Sequence, residues 1–572
     1  MKKLCILLIF PFFTFNIVAQ NEFSIYKDSF IEQLWSLYPS WASNSGYYKY
    51  NYKLNIPDEV NRKEQLVFSE NQLAILNTIS IDQLTLADKT DFFLIRDFLK
   101  NIPWELNELK EYEWNPSIYN VNGDFSYLLN TEYAPLEDRL RTINEKMKYV
   151  AAYFEAAKSN IKNPTIEHTK LAIEQNKNSV DVFSDDIPKA VELANLTKEE
   201  KIAILENATA CKKSVLSFVT FLEKMPNLHP RDFRLGKELY VTKFSQQIQS
   251  EYNSDELFYM ALNRKKYLHE QMFHYTQVLW KDYFTNKAIP KDTIVAIRMM
   301  IDTLSAKHIK AEDFQTSIEK HIPLLVDFIN NKNLIYLDPS KPLEVRKEPA
   351  YMAGVAGASI SSPGPYDKES KTYYNVGSIE GWPKDKQESY LREYNNYILQ
   401  ILDIHEAIPG HYTQGIYANQ SPSIIKTILG NGAMIEGWAV YSELMMLENG
   451  YGNNSPEMWL MYYKWNLRST CNTILDIGVH TQNMSKEDAL DLLTRQAFQQ
   501  KAEAEGKWNR VQLSNVQLCS YFSGFKEIID LREAYKKEQG AAYSVKTFNE
   551  EFLSYGSIPV KYIKQLMLNK QK

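Results

Sequence analysis

Apolar residues recur every three or four positions through long stretches of this chain, and this spacing limits the fold more than any other feature of the sequence. In an α-helix such positions share one face, so each stretch predicts an amphipathic helix that buries one side. Charged residues of both signs fill the other positions. The stretches cover residues 24–38, 64–78, 85–101, 135–162, 187–224 and 255–285. The sequence therefore predicts a mostly α-helical protein.

The pattern changes between residues 335 and 380, where short runs of β-branched and aromatic residues replace the helical spacing. Three runs are predicted as strands, at 343–346, 358–361 and 372–376. Gly-Pro residues at 363–365 separate the second run from the third. We expect these runs to form one small antiparallel sheet.

The length of 572 residues, of which 44% are hydrophobic, allows a sizeable core. A chain this long forms either more than one core or one large two-lobed domain. We predict an N-terminal helical region over residues 20–225 and a second region over residues 226–572 that carries the candidate functional residues. The two regions can also form one continuous domain.

Residues 1–19 are typical of a secretory signal peptide. Lys2 and Lys3 give a positive start, an apolar run follows over residues 4–18, and Ala19 offers a small residue for cleavage. The run is shorter than the roughly 20 residues of a membrane-spanning helix, and an uncleaved anchor is the alternative. We therefore predict export to the periplasm or the extracellular space. No later apolar run is long enough to cross a bilayer, so no stable membrane span is expected after cleavage.

Charge and cysteine use narrow the classes of partner. The net charge of −6 is spread along the chain without a basic cluster that could follow a phosphate backbone, so nucleic acid is not an expected partner. After signal cleavage the cysteines are Cys211, Cys471 and Cys519. An odd number leaves at least one free thiol, so the fold is not expected to depend on a disulfide framework.

The residues that indicate chemistry lie in the segment His405-Glu406-Ala407-Ile408-Pro409-Gly410-His411, and Glu436 follows further along the chain. Two imidazoles and a carboxylate are the ligand set of a catalytic zinc ion. A glutamate next to the first histidine is where a metallopeptidase carries its general base. We predict one Zn²⁺ per chain held by His405, His411 and Glu436, with Glu406 as the general base.

The spacing of the two histidines requires a distortion of the backbone. In H-E-x-x-H both histidines face one side of a helix, whereas His405 and His411 are six positions apart, which is about 240° around a regular helix. Pro409 and Gly410 stand where such a distortion is needed. We predict a bulged helix that turns both imidazoles toward one ion. The alternative is a helix that ends at Pro409-Gly410, with two unrelated histidines.

This segment, together with E-G-W-A-V-Y-S-E at 436–443, resembles the signature of the family called domain of unknown function 885. Segments that resemble the same family are spread over nearly the whole mature chain, at 39–46, 234–240, 476–480 and 517–524. That family groups with zinc metallopeptidases of the gluzincin type. The resemblance implies a large helical metallopeptidase-like fold with a deep cleft, a catalytic role for residues 226–572, and a small sheet at the active site.

In gluzincins a small sheet precedes the metal-binding helix, and its edge strand holds an extended substrate by main-chain hydrogen bonds. The resemblance thus implies a substrate-binding role for Tyr374, Asn375 and Gly377. A structural sheet without substrate contact is the alternative.

A tetrahedral oxyanion needs a hydrogen-bond donor besides the metal. The order Tyr521-Phe522 at a late helix resembles the tyrosine of helical gluzincins whose hydroxyl faces the metal, so Tyr521 is one candidate. His480 is the second. The alternatives are a core aromatic residue and a core histidine.

Three further residues complete the predicted site. Glu443 lies about two helical turns after Glu436 on nearly the same face, so it can orient a metal ligand, unless it is a solvated acid. Asp476 and Arg468 share a helical stretch with His480. We predict Asp476 as a support behind the ligands and Arg468 as a substrate-binding residue.

Together these features predict an exported zinc-dependent peptidase that hydrolyses amide bonds with a metal-activated water. No G-x-S-x-G, P-loop or dinucleotide-binding motif occurs in the sequence, which disfavours serine esterases and nucleotide-dependent enzymes. Two alternatives stay open: a metal-dependent hydrolase of esters or modified amides, and an inactive peptidase scaffold that binds a partner. The sequence also leaves open the position of the cleaved bond within a substrate, the side-chain preference and the oligomeric state.

Overall fold

The computed structural model describes residues 12–348, 358–367 and 370–568. These residues are mostly α-helical, as predicted, with one three-stranded sheet among them. Contacts within the chain divide it into two compact units, Met1–Arg231 and Asp232–Lys572.

The first unit packs its helices around an aliphatic and aromatic core. The rings of Phe154 and Phe218 are fully buried there, with centroids 5.1 Å apart. Its longest capped helix begins at a capping box, in which the side chains of Thr197 and Glu200 each accept a hydrogen bond from the other's backbone N–H. The helices are α1 (Phe12–Leu37), α2 (Pro39–Asn44), α3 (Glu59–Leu76), α4 (Leu86–Trp104), α5 (Glu111–Trp114), α6 (Asn122–Asn130), α7 (Leu136–Met147), α8 (Val150–Asn160), α9 (Ile166–Ser179), α10 (Ile187–Leu193) and α11 (Lys198–Lys224).

The second unit contains the sheet and all the candidate functional residues. Its strands are β1 (Leu343–Lys347), β2 (Ala358–Ser361) and β3 (Thr372–Val376). Its helices are α12 (Lys237–Gln247), α13 (Ser254–Tyr283), α14 (Thr293–Ser305), α15 (Phe314–Lys332), α16 (Lys384–Glu393), α17 (Asn396–Glu406), α18 (His411–Asn419), α19 (Ile424–Ile428), α20 (Gly432–Glu448), α21 (Pro456–Gln482), α22 (Lys486–Asp491), α23 (Lys501–Leu513), α24 (Ser520–Gln539), α25 (Val545–Ser554) and α26 (Val560–Leu568).

The sheet is mixed, with the strand order β1-β3-β2. The predicted antiparallel pairing is confirmed for β2 and β3, which place Ile360 opposite Tyr374. It is wrong for β1 and β3, which run parallel with Val345 opposite Tyr374. The long connection between β1 and β3 includes β2, and a connection of a dozen or more residues is what a parallel pair requires.

Helices α20 and α24 cross with their backbones in contact. A Cβ atom on Gly437 would lie 2.4 Å from the Cα of Gly524, and one on Gly524 would lie 1.7 Å from the carbonyl oxygen of Ala433. Both distances are too short for any side chain, so only glycine permits this approach. The crossing fixes the position of Glu436, which directly precedes Gly437, against the start of α24.

A buried ion pair joins α16 to α21. Lys464 Nζ lies 2.6 Å from Glu393 Oε1, and both side chains are only 2% exposed. The second carboxylate oxygen of Glu393 accepts a hydrogen bond of 2.9 Å from the N–H of Gln500, directly before α23. Because buried charges are tolerated only when they are paired and hydrogen-bonded, this pair holds three elements in one arrangement.

The three cysteines of the described residues are buried free thiols. Cys211 belongs to the first unit, and Cys471 and Cys519 belong to the second. Burial raises the pKa of the Cys211 thiol and of the Cys471 thiol to about 12. These groups therefore stay protonated and unreactive in the folded protein.

Residues 1–11 of the predicted signal peptide lie outside the described residues, and its later part enters α1. Among the described helices, none has the length and the apolar character that a bilayer crossing requires.

We expect Lys464→Met to lower the free energy of unfolding of the second unit by about 3–5 kcal/mol, because it leaves the Glu393 carboxylate buried without its counter-charge. Urea denaturation followed by circular dichroism measures the loss. The double variant Lys464→Met/Glu393→Gln removes both charges and should recover most of the stability. A single variant as stable as the wild type would contradict the role of the pair.

Candidate metal centre

The segment that carries the two histidines joins two helices. Helix α17 ends at Glu406 and α18 begins at His411. The residue after α17 leaves the helical region, with φ −105° and ψ −91°, and the N–H of Gly410 then donates to the carbonyl oxygen of Ile404 at 2.9 Å. The predicted bulge within one continuous helix is wrong. The helix breaks instead, because Pro409 has no N–H to continue it and its ring obstructs the preceding turn.

The turn between the helices is compact because of Gly410. A Cβ atom at this position would lie 1.8 Å from the carbonyl oxygen of His405, so no other residue fits. The indole N–H of Trp438 on α20 donates a 2.8 Å hydrogen bond to the carbonyl oxygen of Pro409. Hydrogen bonds to α17 and to Trp438 thus fix the turn, and the turn brings His411 back toward His405.

The imidazoles of His405 and His411 converge on the carboxylate of Glu436. The Nε2 atoms of the two histidines lie 3.6 Å and 3.5 Å from Glu436 Oε2. One ligand atom from each of the three residues lies within 4.8 Å of the others, a geometry that could hold a metal ion. Glu436 Oε2 is buried and makes no hydrogen bond within the described residues. The structure therefore brings together the three residues predicted as ligands.

Glu443 lies behind this group. It is fully buried on α20, and its Oε1 lies 2.7 Å from His405 Nδ1. The indole N–H of Trp465 donates to the same oxygen at 3.0 Å. With Nδ1 bonded to Glu443, His405 presents Nε2 to Glu436. Nδ1 of His411 is buried without a hydrogen-bond partner among the described residues.

The charges of this group depend on one another. Burial opposes the charged form of His405, but the carboxylates of Glu436 and Glu443 outweigh it and raise the pKa of that imidazole to about 10. Burial likewise opposes ionisation of Glu436, yet the two imidazoles hold the pKa of its carboxyl well below the usual range. For Glu443, burial prevails and raises the pKa. The imidazoles and the carboxylate of Glu436 thus stabilise each other's charged forms.

Glu406 faces a cavity of about 550 Å³ beside the histidines. Burial raises the pKa of the Glu406 carboxyl, while the imidazoles of His411 and His405 lower it. A cavity of this size is in the range of small-molecule sites. It lies within the second unit, and its lining residues come from β2, α16 and the residue after it, α17, α21, α23 and α24.

Two more predicted residues line the same cavity. The ring of Tyr521 stacks against that of His405, with centroids 6.4 Å apart, and its hydroxyl accepts a 3.2 Å hydrogen bond from Arg510 Nη2. Burial, followed by the charge of Glu436, raises the pKa of the Tyr521 phenol to about 12. Arg468 pairs with Glu503 at the cavity wall.

His480 is not among the residues that line the cavity. Its Nε2 lies 2.9 Å from the carbonyl oxygen of Val511, and its Nδ1 accepts the N–H of Leu235 at 3.4 Å. Both ring nitrogens are therefore engaged by backbone groups. Burial lowers the pKa of this imidazole. The structure places His480 in the core, between α12, α21 and α23, rather than at the predicted catalytic position.

Asp476 supports the loop before α24 instead of a metal ligand. Its Oδ1 accepts the N–H of Val516 at 2.9 Å and the hydroxyl of Tyr240 at 2.7 Å, and its Oδ2 accepts the N–H of Leu518 at 3.3 Å. Val516 has a φ of 72°, which is rare for a β-branched residue and needs such support. Asp476 thereby helps to fix the backbone that leads to Tyr521.

The predicted substrate role of β3 is contradicted by the strand order. Because β3 is the central strand, its main-chain groups on both edges already pair with β1 and β2, and no edge remains for a substrate. The Tyr374 hydroxyl donates a 3.0 Å hydrogen bond to Asp403 on α17. Asn375 bonds Ser361 within the sheet, and Gly377 follows the strand outside the cavity lining. These residues support the sheet and α17.

Sequence analysis missed three residues that line the cavity: Glu503 and Lys507 on α23, and Trp465 on α21. Glu503 and Lys507 are four positions apart, which is the ordinary spacing of a surface ion pair on a helix. Sequence analysis also missed Asp403, whose carboxylate lies 2.6 Å from His321 Nδ1. A single acid shortly before a histidine has no distinctive sequence pattern.

Comparisons with known proteins give a family and a fold. The family model described as "Bacterial protein of unknown function (DUF885)" matches residues 39–567. A Shewanella oneidensis protein described as a "putative lipoprotein of unknown function" has 48% sequence identity and a TM-score of 0.85, with 96% of this chain and 99% of that chain covered. A Colwellia psychrerythraea protein, described as a "putative lipoprotein", has 17% identity and a TM-score of 0.78, with 96% and 98% covered, and shows the fold alone. No curated protein matches the chain.

We expect Gly410→Ala to destabilise the second unit by about 1–3 kcal/mol, because the new methyl group meets the carbonyl oxygen of His405 and forces the turn open. Thermal unfolding measures the loss. Gly432→Ala is the matched control, since its Cβ meets nothing closer than Ser520 Oγ at 3.7 Å. Equal melting temperatures for the two variants would show that the turn tolerates a side chain.

Proposed function

The chain belongs to the bacterial DUF885 family, and for it we propose the activity of a zinc-dependent peptidase. In this proposal His405, His411 and Glu436 hold one Zn²⁺ per chain. Glu406 is the general base, and the cavity beside it receives the peptide substrate. The metal, the activity and the substrate are inferred from the residues and their geometry.

The environment of Glu436 Oε2 is the observation that carries the proposal. This oxygen is buried, makes no hydrogen bond within the described residues and is approached by two imidazole Nε2 atoms at 3.5 and 3.6 Å. A buried carboxylate oxygen without a donor is costly, and a cation between the three groups would remove that cost. Two nitrogens and one oxygen suit zinc, and a three-residue set leaves a position for water.

The contact between His405 and Glu443 adds independent support. A histidine that ligates a metal commonly donates its other ring N–H to a carboxylate, which fixes the ring and its tautomer. Glu443 occupies this position at 2.7 Å and is itself held by Trp465.

The residues around the ligands fit amide hydrolysis. A bound zinc ion would lower the pKa of water and polarise the scissile carbonyl group. Glu406 accepts the proton of the attacking water and delivers it to the leaving amine. Tyr521 donates its hydroxyl hydrogen to the oxyanion, and Arg510 holds that hydroxyl from its other side. The half-buried carboxylate of Glu406 favours an enzyme over a scaffold that only binds a partner, because such a scaffold has no need of a general base.

Export is part of the same proposal. The Shewanella oneidensis and Colwellia psychrerythraea proteins are described as putative lipoproteins, and lipoproteins are exported proteins, which supports export of this chain. The predicted signal peptide over residues 1–19 would direct it, and the peptidase would act in the periplasm or outside the cell.

We expect His405→Ala and His411→Ala to lose the bound zinc, because each removes one of three ligands. Glu406→Gln should keep the zinc and lose about 10²- to 10⁴-fold in peptide hydrolysis, since it removes only the base. Plasma emission spectrometry measures the metal, and mass spectrometry of a mixed-peptide digest measures the activity.

His274→Ala, at an exposed histidine outside the ligand group, is the control and should change neither the zinc content nor the activity. Stoichiometric zinc in both ligand variants would reject the metal centre. Hydrolysis of esters but not peptides by the zinc-loaded wild type would favour the ester hydrolase, and hydrolysis of neither would favour the binding scaffold.

We expect Glu443→Gln to weaken zinc binding by about 10- to 100-fold, because His405 loses the carboxylate that orients it. Competition with a chromogenic chelator measures the affinity. Glu448→Gln, on the same helix but paired with Arg532 at the surface, should leave it unchanged. Identical zinc affinities for these two variants would exclude the orienting role of Glu443.

A further inference from the structure

We propose that the cavity beside the histidines binds the free C-terminal carboxylate of a peptide, so that the enzyme removes residues from carboxyl ends. This inference rests on the proposed peptidase function and names its substrate class. It is carried by Lys507 of the cavity wall, which the hydrolytic chemistry itself does not use.

Lys507 is the central observation. It lines the cavity, yet the residue is only 4% exposed. No ion pair or hydrogen bond of its ammonium group is found among the described residues, while Glu393, Glu503 and Glu443 each have a partner. A buried cation without a counter-charge is costly, and an anion that enters the cavity would remove this cost.

Two arginines near Lys507, Arg468 and Arg510, add positive charge to the same part of the cavity wall. Arg468 is compensated by its pair with Glu503. Arg510, at the cavity rim, bonds only the neutral groups of Gln517 and Tyr521 in the described residues, at 2.8 and 3.2 Å. Burial and the positive charges of Arg468 and Arg510 lower the pKa of Lys507 more than the carboxylates of Glu503 and Glu436 raise it, and a bound carboxylate would raise it further.

The rest of the cavity fits the last residues of a peptide. Tyr390, Tyr394 and Trp465 form an aromatic wall, with the ring centroids of Tyr390 and Tyr394 4.5 Å apart. Such a wall suits an apolar side chain or a peptide plane. The volume of about 550 Å³ corresponds to a small ligand rather than to a long chain.

The position of Lys507 favours a chain end over an acidic side chain. Glu406 and Lys507 line one cavity, so a carboxylate bound to Lys507 lies close to the bond that Glu406 would help to cleave. Because Lys507 is almost fully buried, only a group that enters the cavity can reach its ammonium group. A terminal carboxylate ends the substrate at the buried cation.

The zinc-loaded wild type tests this inference without any substitution. Pairs of peptides that differ only in a free or an amidated C-terminus are compared by kcat/KM. We expect the free acid to be preferred by about 10- to 100-fold, the contribution of one hydrogen bond to a charged group. Equal rates would overturn the inference and leave the peptidase function standing, whereas hydrolysis of neither peptide would reject the function itself.

A second pair of amidated peptides, ending in Glu or in Gln, separates a terminal carboxylate from a side-chain carboxylate. Faster cleavage of the amidated peptide ending in Glu, at the level of the free acid, would assign the cavity to acidic side chains and overturn the inference. Products that lack only C-terminal residues support it, and internal fragments oppose it.

Lys507→Met links the preference to the residue. This variant keeps the length of the side chain and removes a buried charge, so we expect a folded protein with full zinc content. The free-acid substrate should lose about 10- to 100-fold in kcat/KM, mainly through KM, while the amide keeps its rate. Lys501→Met, on the same helix with an 85% exposed side chain, is the control. An unchanged preference in Lys507→Met would overturn the assignment of this residue.

Discussion

The contact between Gly437 and Gly524 is the constraint on which the candidate site depends. Two helices can approach to this distance only where both lack a side chain. Glu436 directly precedes Gly437, and Tyr521 lies one turn before Gly524. The crossing therefore sets the distance between a candidate metal ligand and a residue of the cavity wall. The neighbouring Trp438 extends the constraint to the turn between the two histidines.

From this crossing the second unit builds two adjacent regions of opposite charge. Around His405 the carboxyl groups outnumber the imidazoles, an environment that favours a cation. Across the cavity, Lys507 and Arg510 have no carboxylate partner among the residues described. A substrate with a carbonyl group and a negative end would suit such an arrangement, with the carbonyl group toward the proposed metal and the negative end toward Lys507. Glu406, the proposed general base, lines the same cavity as Lys507.

The sequence predicted the parts of this arrangement that are local. The helical character follows from spacing, and the convergence of His405 and His411 could be inferred from a short segment whose proline and glycine permit a turn. The role of His480 could not, since its ring is engaged by backbone atoms from distant elements. The central position of β3 could not be predicted either, because the strand order depends on a long connection between β1 and β3. No sequence pattern marks Lys507, because only its burial by other helices distinguishes it from an ordinary surface lysine.

The buried thiols give each unit its own internal reporter. Cys211 belongs to one unit, Cys471 and Cys519 to the other, and all three are shielded in the native state. A thiol-reactive dye therefore modifies a cysteine only during transient opening of the surrounding structure. The rates of modification at these positions would give separate opening free energies for the two units in a single mass spectrum. Because the cysteines of the described residues form no disulfide, these positions can be followed without a reductant that would disturb folding.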